Sequence, residues 1–134
     1  MIQIILGAFL AGLNGGLIYN TWPDMSGSFF PNDSIFNDYL SLSSFSDPSI
    51  VQFFHRTTAY ILLIFVILLN IYFYKYKLNS TEILIFDLSI FIQIFLGIVT
   101  LLNGVEIKYA SLHQIGSIFV LSSFLFIYFK NYKS

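Results

Sequence analysis

Between Thr58 and Lys75 the chain reads AYILLIFVILLNIYFY, sixteen residues with no ionisable group stronger than tyrosine. A helix crosses the hydrocarbon core of a bilayer in roughly 20 mostly apolar residues, and few other environments suit such a run. Four segments qualify, at about 2–19, 50–74, 83–102 and 109–129. Composition agrees: 57% of residues are hydrophobic and only 10% charged, where a typical soluble domain is about a quarter charged. The expectation is an all-α integral membrane protein with 1–134 forming a single four-transmembrane-helix bundle.

The first segment lacks the basic leader of a signal peptide and runs too long for one, so it reads as a true span. It gives way to TWPDMSG, where Trp22 suits the interfacial belt and Pro23 stops the helix. Orientation follows from the lysines. Lys75 and Lys77 follow the second span, and Lys130 and Lys133 follow the fourth. The connection at about 20–49 holds Asp24, Asp33, Asp38 and Asp47 but no Lys or Arg. Positive residues stay inside, so both termini are expected on the cytoplasmic or matrix side and the acidic loop outside. The membrane is then a bacterial cell membrane or a mitochondrial inner membrane. The outer loop reads either as a partly ordered flap over the bundle mouth or as a plain polar connector.

Several chemistries are excluded at once. A net charge of −1 argues against nucleic-acid binding. With no cysteine there are no disulfides, thiolate metal sites or cysteine nucleophiles. Two histidines remain, His55 and His113. An ionisable residue at the mouth of a span is costly and signals function by default.

An internal pattern brings these histidines into register. QIILG (3–7) precedes Asn14-Gly15, and QIFLG (93–97) precedes Asn103-Gly104. After each comes a loop and then a helix with a histidine near its start, so the chain reads as two helical-hairpin repeats. Asp47-Pro48 supplies an N-cap and a first-turn proline. His55 then lies about two turns in, roughly 12 Å at 1.5 Å per residue. His113 falls at similar depth, so the two can converge on one cavity within the bundle. Ala59, Gly116 and Ser117 on the histidine faces, and GLNGG (12–16) in the first segment, are expected to leave room for a flat ligand or a close helix.

Two imidazoles in an apolar, roomy surround suit a heme with bis-histidine axial ligation. Arg56 would then pair with a heme propionate, or else snorkel to lipid phosphates. Structural hydrogen bonding by the histidines and a two-histidine copper or zinc site are the competing readings. No carboxylate or third ligand stands at suitable spacing for the latter. Gln3, Asn14, Asn70 and Gln93 are expected to bond across the bundle.

Three stretches, LGAFLAGLNGGLIYNTWPDMSGSFFP, DPSIVQFFHR and LGIVTLLNGVEIKYASLHQIGS, resemble in order the C-terminal half of the heme A synthase family. They cover nearly the whole chain. The resemblance implies two fused four-helix bundles in the full family protein, the first handling heme O and the second holding a heme b. It implies an oxidoreductase that converts a methyl group of heme O to formyl in heme A biosynthesis, for cytochrome oxidase assembly. His55 and His113 would be the axial ligands of the heme b, with Arg56 beside them. No catalytic residue is implied in this half. The implied partners are the lipid bilayer, an N-terminal heme O-binding half or split partner, a heme O synthase and an electron donor.

Departures from the family pattern are specific. Gln52 stands three residues before His55, where the family's N-terminal half carries a glutamate thought to take part in the chemistry. Glutamine exchanges no proton, as befits the C-terminal half. Phe54 replaces a usual Asn or Asp, and no proline precedes Glu106. One bundle stands where the family has two. The chain is thus expected to be a fragment, an internal start, a split subunit or a stand-alone protein. The alternative functions are a free-standing membrane cytochrome b or a non-catalytic structural subunit.

Overall fold

Lys75 and Thr81 bound the long helices that most resemble the expected spans. A computed structural model describes residues 1–77 and 80–132, so Lys133, one of the orienting lysines, lies outside the described residues. Helix α1 covers Ile2–Gly12, α2 Pro48–Lys75, α3 Thr81–Leu102 and α4 Ile107–Tyr132, with 3-10 turns at Gly15–Leu17, Phe36–Leu40 and Leu42–Ser46. The described residues are all-helical apart from one isolated bridge between Met25 and Ser28.

Among the described residues three helices are long and apolar enough to span: 28 residues in Pro48–Lys75, 22 in Thr81–Leu102 and 24 in Ile107–Lys130. At 1.5 Å per residue each exceeds the roughly 30 Å hydrocarbon core. The chain is an integral membrane protein.

Part of the first expected span is helical: helix α1 has 11 residues, about 16 Å of helix. Asn14 adopts the left-handed conformation at φ 52°, which breaks the i→i−4 ladder, and a short 3-10 turn follows. A β-carbon on Gly15 would lie 2.9 Å from the Pro48 carbonyl and 2.7 Å from Leu10 Cδ1. Glycine there lets the chain after α1 press against the start of α2. Within 2–19 the apolar run is thus a helix followed by a packed corner.

Asp47 caps α2 as expected, its Oδ1 accepting from the backbone N–H of Ser49 at 2.9 Å and Ile50 at 3.1 Å, with Pro48 in the first turn. Ser80 caps α3 by accepting from the Ile83 N–H at 3.3 Å. Helices α3 and α4 pack side by side through small polar groups, Ser89 and Ser123 lying 3.2 Å apart. Helix α1 lies along α2, while α2 and α3 touch sparingly. Large apolar side chains face outward, Ile61 being 61% and Phe119 58% exposed. Among the described residues, Ser49, Gln52, Ser89 and Thr100 are buried. Polar groups inside and apolar groups outside is the arrangement a lipid solvent favours.

The 20–49 connection packs against α1 and α2 as a flap. Phe53 of α2 meets Phe29, Phe30 and Tyr39 at ring-centroid distances of 5.8, 5.2 and 5.4 Å. Phe45 bridges Phe54 of α2 and Phe9 of α1, each at 6.0 Å. Such aromatic pairs contribute about 0.5–1.5 kcal/mol each beyond area burial. A polar knot ties the loop's base. Asp33 accepts from the Tyr19 hydroxyl at 2.8 Å and from Ser49 Oγ at 2.7 Å, and Tyr19 Oη accepts from the Asn32 N–H at 3.1 Å.

This knot is pH-sensitive in a known direction. The hydrogen bond from Ser49 holds the Asp33 carboxyl below its ordinary value, with Tyr19 acting the same way and burial opposing both. Burial and the bond to Asp33 push the Tyr19 phenol up. A carboxyl depressed in the folded state stabilises the fold above its unfolded value and loses that contribution as pH falls through the folded one. Acidification below about pH 4 is expected to loosen the flap. Trp22, the chain's one tryptophan, reports the change as a drop in fluorescence anisotropy. In Asp33→Asn the anisotropy should start lower and show no acid step; an unchanged step there would assign the transition to another group.

Candidate heme site

His55 is the eighth residue of α2 and His113 the seventh of α4. The rings approach with centroids 6.5 Å apart and planes at 86°. Both side chains are mostly buried. Each is served by the preceding helix in the same way. Gln3 of α1 donates its side-chain amide to the His55 carbonyl at 3.0 Å. Gln93 of α3 donates likewise to the His113 carbonyl at 2.8 Å. One turn further on, Gly7 and Gly97 face the rings: a β-carbon would lie 3.3 Å from His55 Cε1 and 2.9 Å from His113 Cε1. Gln3 and Gln93 thus bond across helices as their sequence positions suggest.

Proton positions on the rings follow from the partners. His113 Nδ1 lies 3.1 Å from the Gln93 carbonyl oxygen, which can only accept. Nδ1 therefore carries the proton, and Nε2 keeps a lone pair. A main-chain carbonyl on the far nitrogen is the usual way a ligating imidazole is oriented. His55 is held more loosely. The Gln3 amide stands 3.4 Å from its Nε2, while Nδ1 is buried with no hydrogen-bond partner.

These features fit an iron porphyrin. A single metal ion held by both imidazoles, at metal–nitrogen distances of about 2.0–2.1 Å, would need ring centres on the order of 6–7 Å apart, and the rings stand 6.5 Å apart. Among the described residues no group of three His, Cys, Asp or Glu side chains gathers. A bare zinc or copper ion would lack its remaining ligands, whereas a porphyrin brings four of its own.

Arg56, next to His55, engages the 20–49 loop. Its guanidinium donates to the carbonyls of Thr21 and Asp24, both at 2.8 Å, and of Tyr19 at 2.6 Å, with Nε buried and unpaired. Its fork thus clamps the flap to α2. Gln52, 1% exposed, donates to the same Tyr19 carbonyl at 2.9 Å. At the glutamate-like spacing the side chain is a loop anchor, and its donor is what the carbonyl requires.

Other polar positions divide. Asn70 bonds within its own helix, to the Val66 carbonyl at 2.9 Å, and Asn14 serves the corner described above. Asn20, which sequence reasoning passed over, joins two parts of the fold by donating to the carbonyls of Gly16 at 2.8 Å and Leu101 at 3.0 Å. Its only signal is an amide next to the loop. The expected flat space at Gly116 is filled: a β-carbon there would collide with the Gln93 side-chain oxygen. Charged pairs sit at helix ends, Lys130 with Glu82, and Lys108 with Glu106 at 3.0 Å.

Comparison with known proteins bears on the whole chain. It is 59% identical over 131 residues to a heme A synthase of Pelagibacter ubique (strain HTCC1062), covering 98% of this chain and 39% of that protein. Heme A synthases of Wolbachia pipientis wMel and Rickettsia bellii (strain OSU 85-389) are 43% and 44% identical, over 94% and 95% of this chain and 35% and 38% of theirs. The chain therefore spans well under half the length of these relatives. No solved structure matches it. A family profile described as cytochrome oxidase assembly protein matches residues 1–125. The two histidines face one another in a chain that belongs to the cytochrome oxidase assembly protein (COX15-CtaA) family.

Proposed function

We propose that this chain is the heme b-binding, C-terminal half of a heme A synthase, and that His55 and His113 ligate one iron. The observation that carries the reading is the pair of buried imidazoles from separate helices, 6.5 Å apart, with no further protein ligand gathered among the described residues. The relatives' names supply the chemical setting. A bound heme b supplies a one-electron redox centre, serving the oxidation of a heme O methyl group to formyl in an N-terminal partner bundle.

The chain's own residues do the holding. His113 offers Nε2 because the Gln93 carbonyl occupies its Nδ1–H. His55 completes the pair from α2. Arg56 and Gln52 fasten the 20–49 loop to α2 beside His55, and Phe53 and Phe54 pack against the loop's aromatic rings. Equivalent service of His55 by Gln3-Gly7 and of His113 by Gln93-Gly97 supports two related helical-hairpin units, the first with a short leading helix. With Lys75, Lys77 and Lys130 at inner helix ends, the acidic flap faces outward and the termini lie on the cytoplasmic or matrix side. A heme O synthase and an electron donor are the expected neighbours in the membrane.

The test is a reduced-minus-oxidised visible spectrum of the detergent-purified chain, with heme content measured per chain. Low-spin b-type bands near one heme per chain are expected. A helical, monodisperse preparation without heme overturns the proposal and leaves a structural subunit.

A further inference from the structure

Two imidazoles can flank one centre with their planes at any relative angle, yet here the planes stand at 86°. The surroundings of each ring differ in a way that accounts for this. His113 is fixed at two points: its carbonyl receives the Gln93 side-chain amide at 2.8 Å, and its Nδ1–H reaches the Gln93 main-chain carbonyl at 3.1 Å. Its ring edge then lies so close to Gly97 that a β-carbon would stand 2.9 Å from Cε1, 3.4 Å from Nδ1 and 3.5 Å from Nε2. His55 receives the Gln3 amide at its carbonyl, but its ring nitrogen meets that amide side chain and not a main-chain carbonyl. Gly7 stands further from the ring, 3.3 Å from Cε1 and 3.8 Å from Nδ1.

Gln93 is itself locked. Its Oε1 is buried without a hydrogen-bond partner and rests over Gly116, one turn beyond His113. A buried amide oxygen left unpaired is costly, so the side chain is held there for what its nitrogen does. Gly97 thus lies against the His113 ring, and Gly116 against the Gln93 side chain that bonds the His113 carbonyl.

We infer that Gln3 with Gly7, and Gln93 with Gly97, are positioning residues that set the two histidine rings at right angles. The inference rests on the bis-histidine reading. Parallel axial imidazoles split the iron π-orbitals of a low-spin ferric heme and give a rhombic electron paramagnetic resonance spectrum. Perpendicular ones leave those orbitals nearly degenerate, and the spectrum is dominated by a single large-g feature. Ring angle is therefore readable without any activity assay.

The experiment is the low-temperature resonance spectrum of the oxidised, heme-loaded chain, beside Gly97→Ala, Gln93→Met and Ser122→Ala. Wild type is expected to show the large-g feature. Gly97→Ala pushes on the His113 ring edge, and Gln93→Met keeps bulk without the donor, so both shift the feature to lower g. Ser122→Ala should leave it in place, since that exposed hydroxyl bonds to the Ile118 carbonyl of its own helix. A variant harmed only in stability lowers heme yield without moving g. A rhombic wild-type spectrum overturns the inference while leaving bis-histidine ligation intact. A large-g wild type unmoved by both variants overturns the positioning roles. An absence of low-spin heme removes the inference together with the reading beneath it.

Discussion

Replacing either His55 or His113 by alanine is expected to abolish the low-spin b-type spectrum, leaving less than about a tenth of the wild-type signal. The ring centroids lie 6.5 Å apart, and under the proposed bis-histidine ligation loss of one would leave a single axial ligand and at most a high-spin heme. The fold should survive. His113→Ala forfeits one hydrogen bond to the Gln93 carbonyl, about 1 kcal/mol, and His55→Ala removes a ring whose nitrogens have one long contact between them. Circular dichroism of the same samples should show unchanged helix content. If one variant keeps the full low-spin spectrum, that histidine is not a ligand and the pair is structural.

Arg56→Ala is expected to detach the flap. Three loop carbonyls, of Tyr19, Thr21 and Asp24, lose their charged donor together. Hydrogen bonds to charged groups contribute about 1.5–3 kcal/mol each. They act as one clamp, so a total on the order of 3 kcal/mol is the sensible scale, not their sum. Residues 20–47 should become at least tenfold more sensitive to added protease, and Trp22, already 45% exposed, should lose anisotropy. Arg56→Lys should rescue only in part, because one ammonium does not span the three carbonyls as a planar fork does. Unchanged protease sensitivity would show that the aromatic cluster alone holds the flap. Loss of heme from Arg56→Ala with the flap still attached would instead restore the propionate partner expected from sequence.

Much of the fold is legible in the sequence because lipid imposes simple rules. The long helices follow from uninterrupted apolar runs, and Asp47-Pro48 marks the start of α2 through its own capping chemistry. The histidines stand out because ionisable groups are rare in such a chain. The QxxxG spacing of Gln3-Gly7 and Gln93-Gly97 carries their common relation to the rings, one helical turn apart on one face. Where α1 ends within the first apolar run was not legible, for a physical reason. Apolar composition continues through Leu17 and Ile18, but the corner depends on Asn14 adopting φ 52° and on Gly15 fitting against Pro48, a contact across the fold.

What the sequence alone determined is the membrane solvent, the helical class and the short roster of groups able to ligate a metal, since hydrophobicity and residue chemistry are local properties. Tertiary structure decided the rest. Arg56 turns to the flap because three loop carbonyls lie within its reach. Gln52 anchors the Tyr19 carbonyl, Asn20 ties Gly16 to Leu101, and the imidazoles stand at right angles. Each of these depends on which donor meets which acceptor across distant segments, and that pairing exists only once the helices have packed.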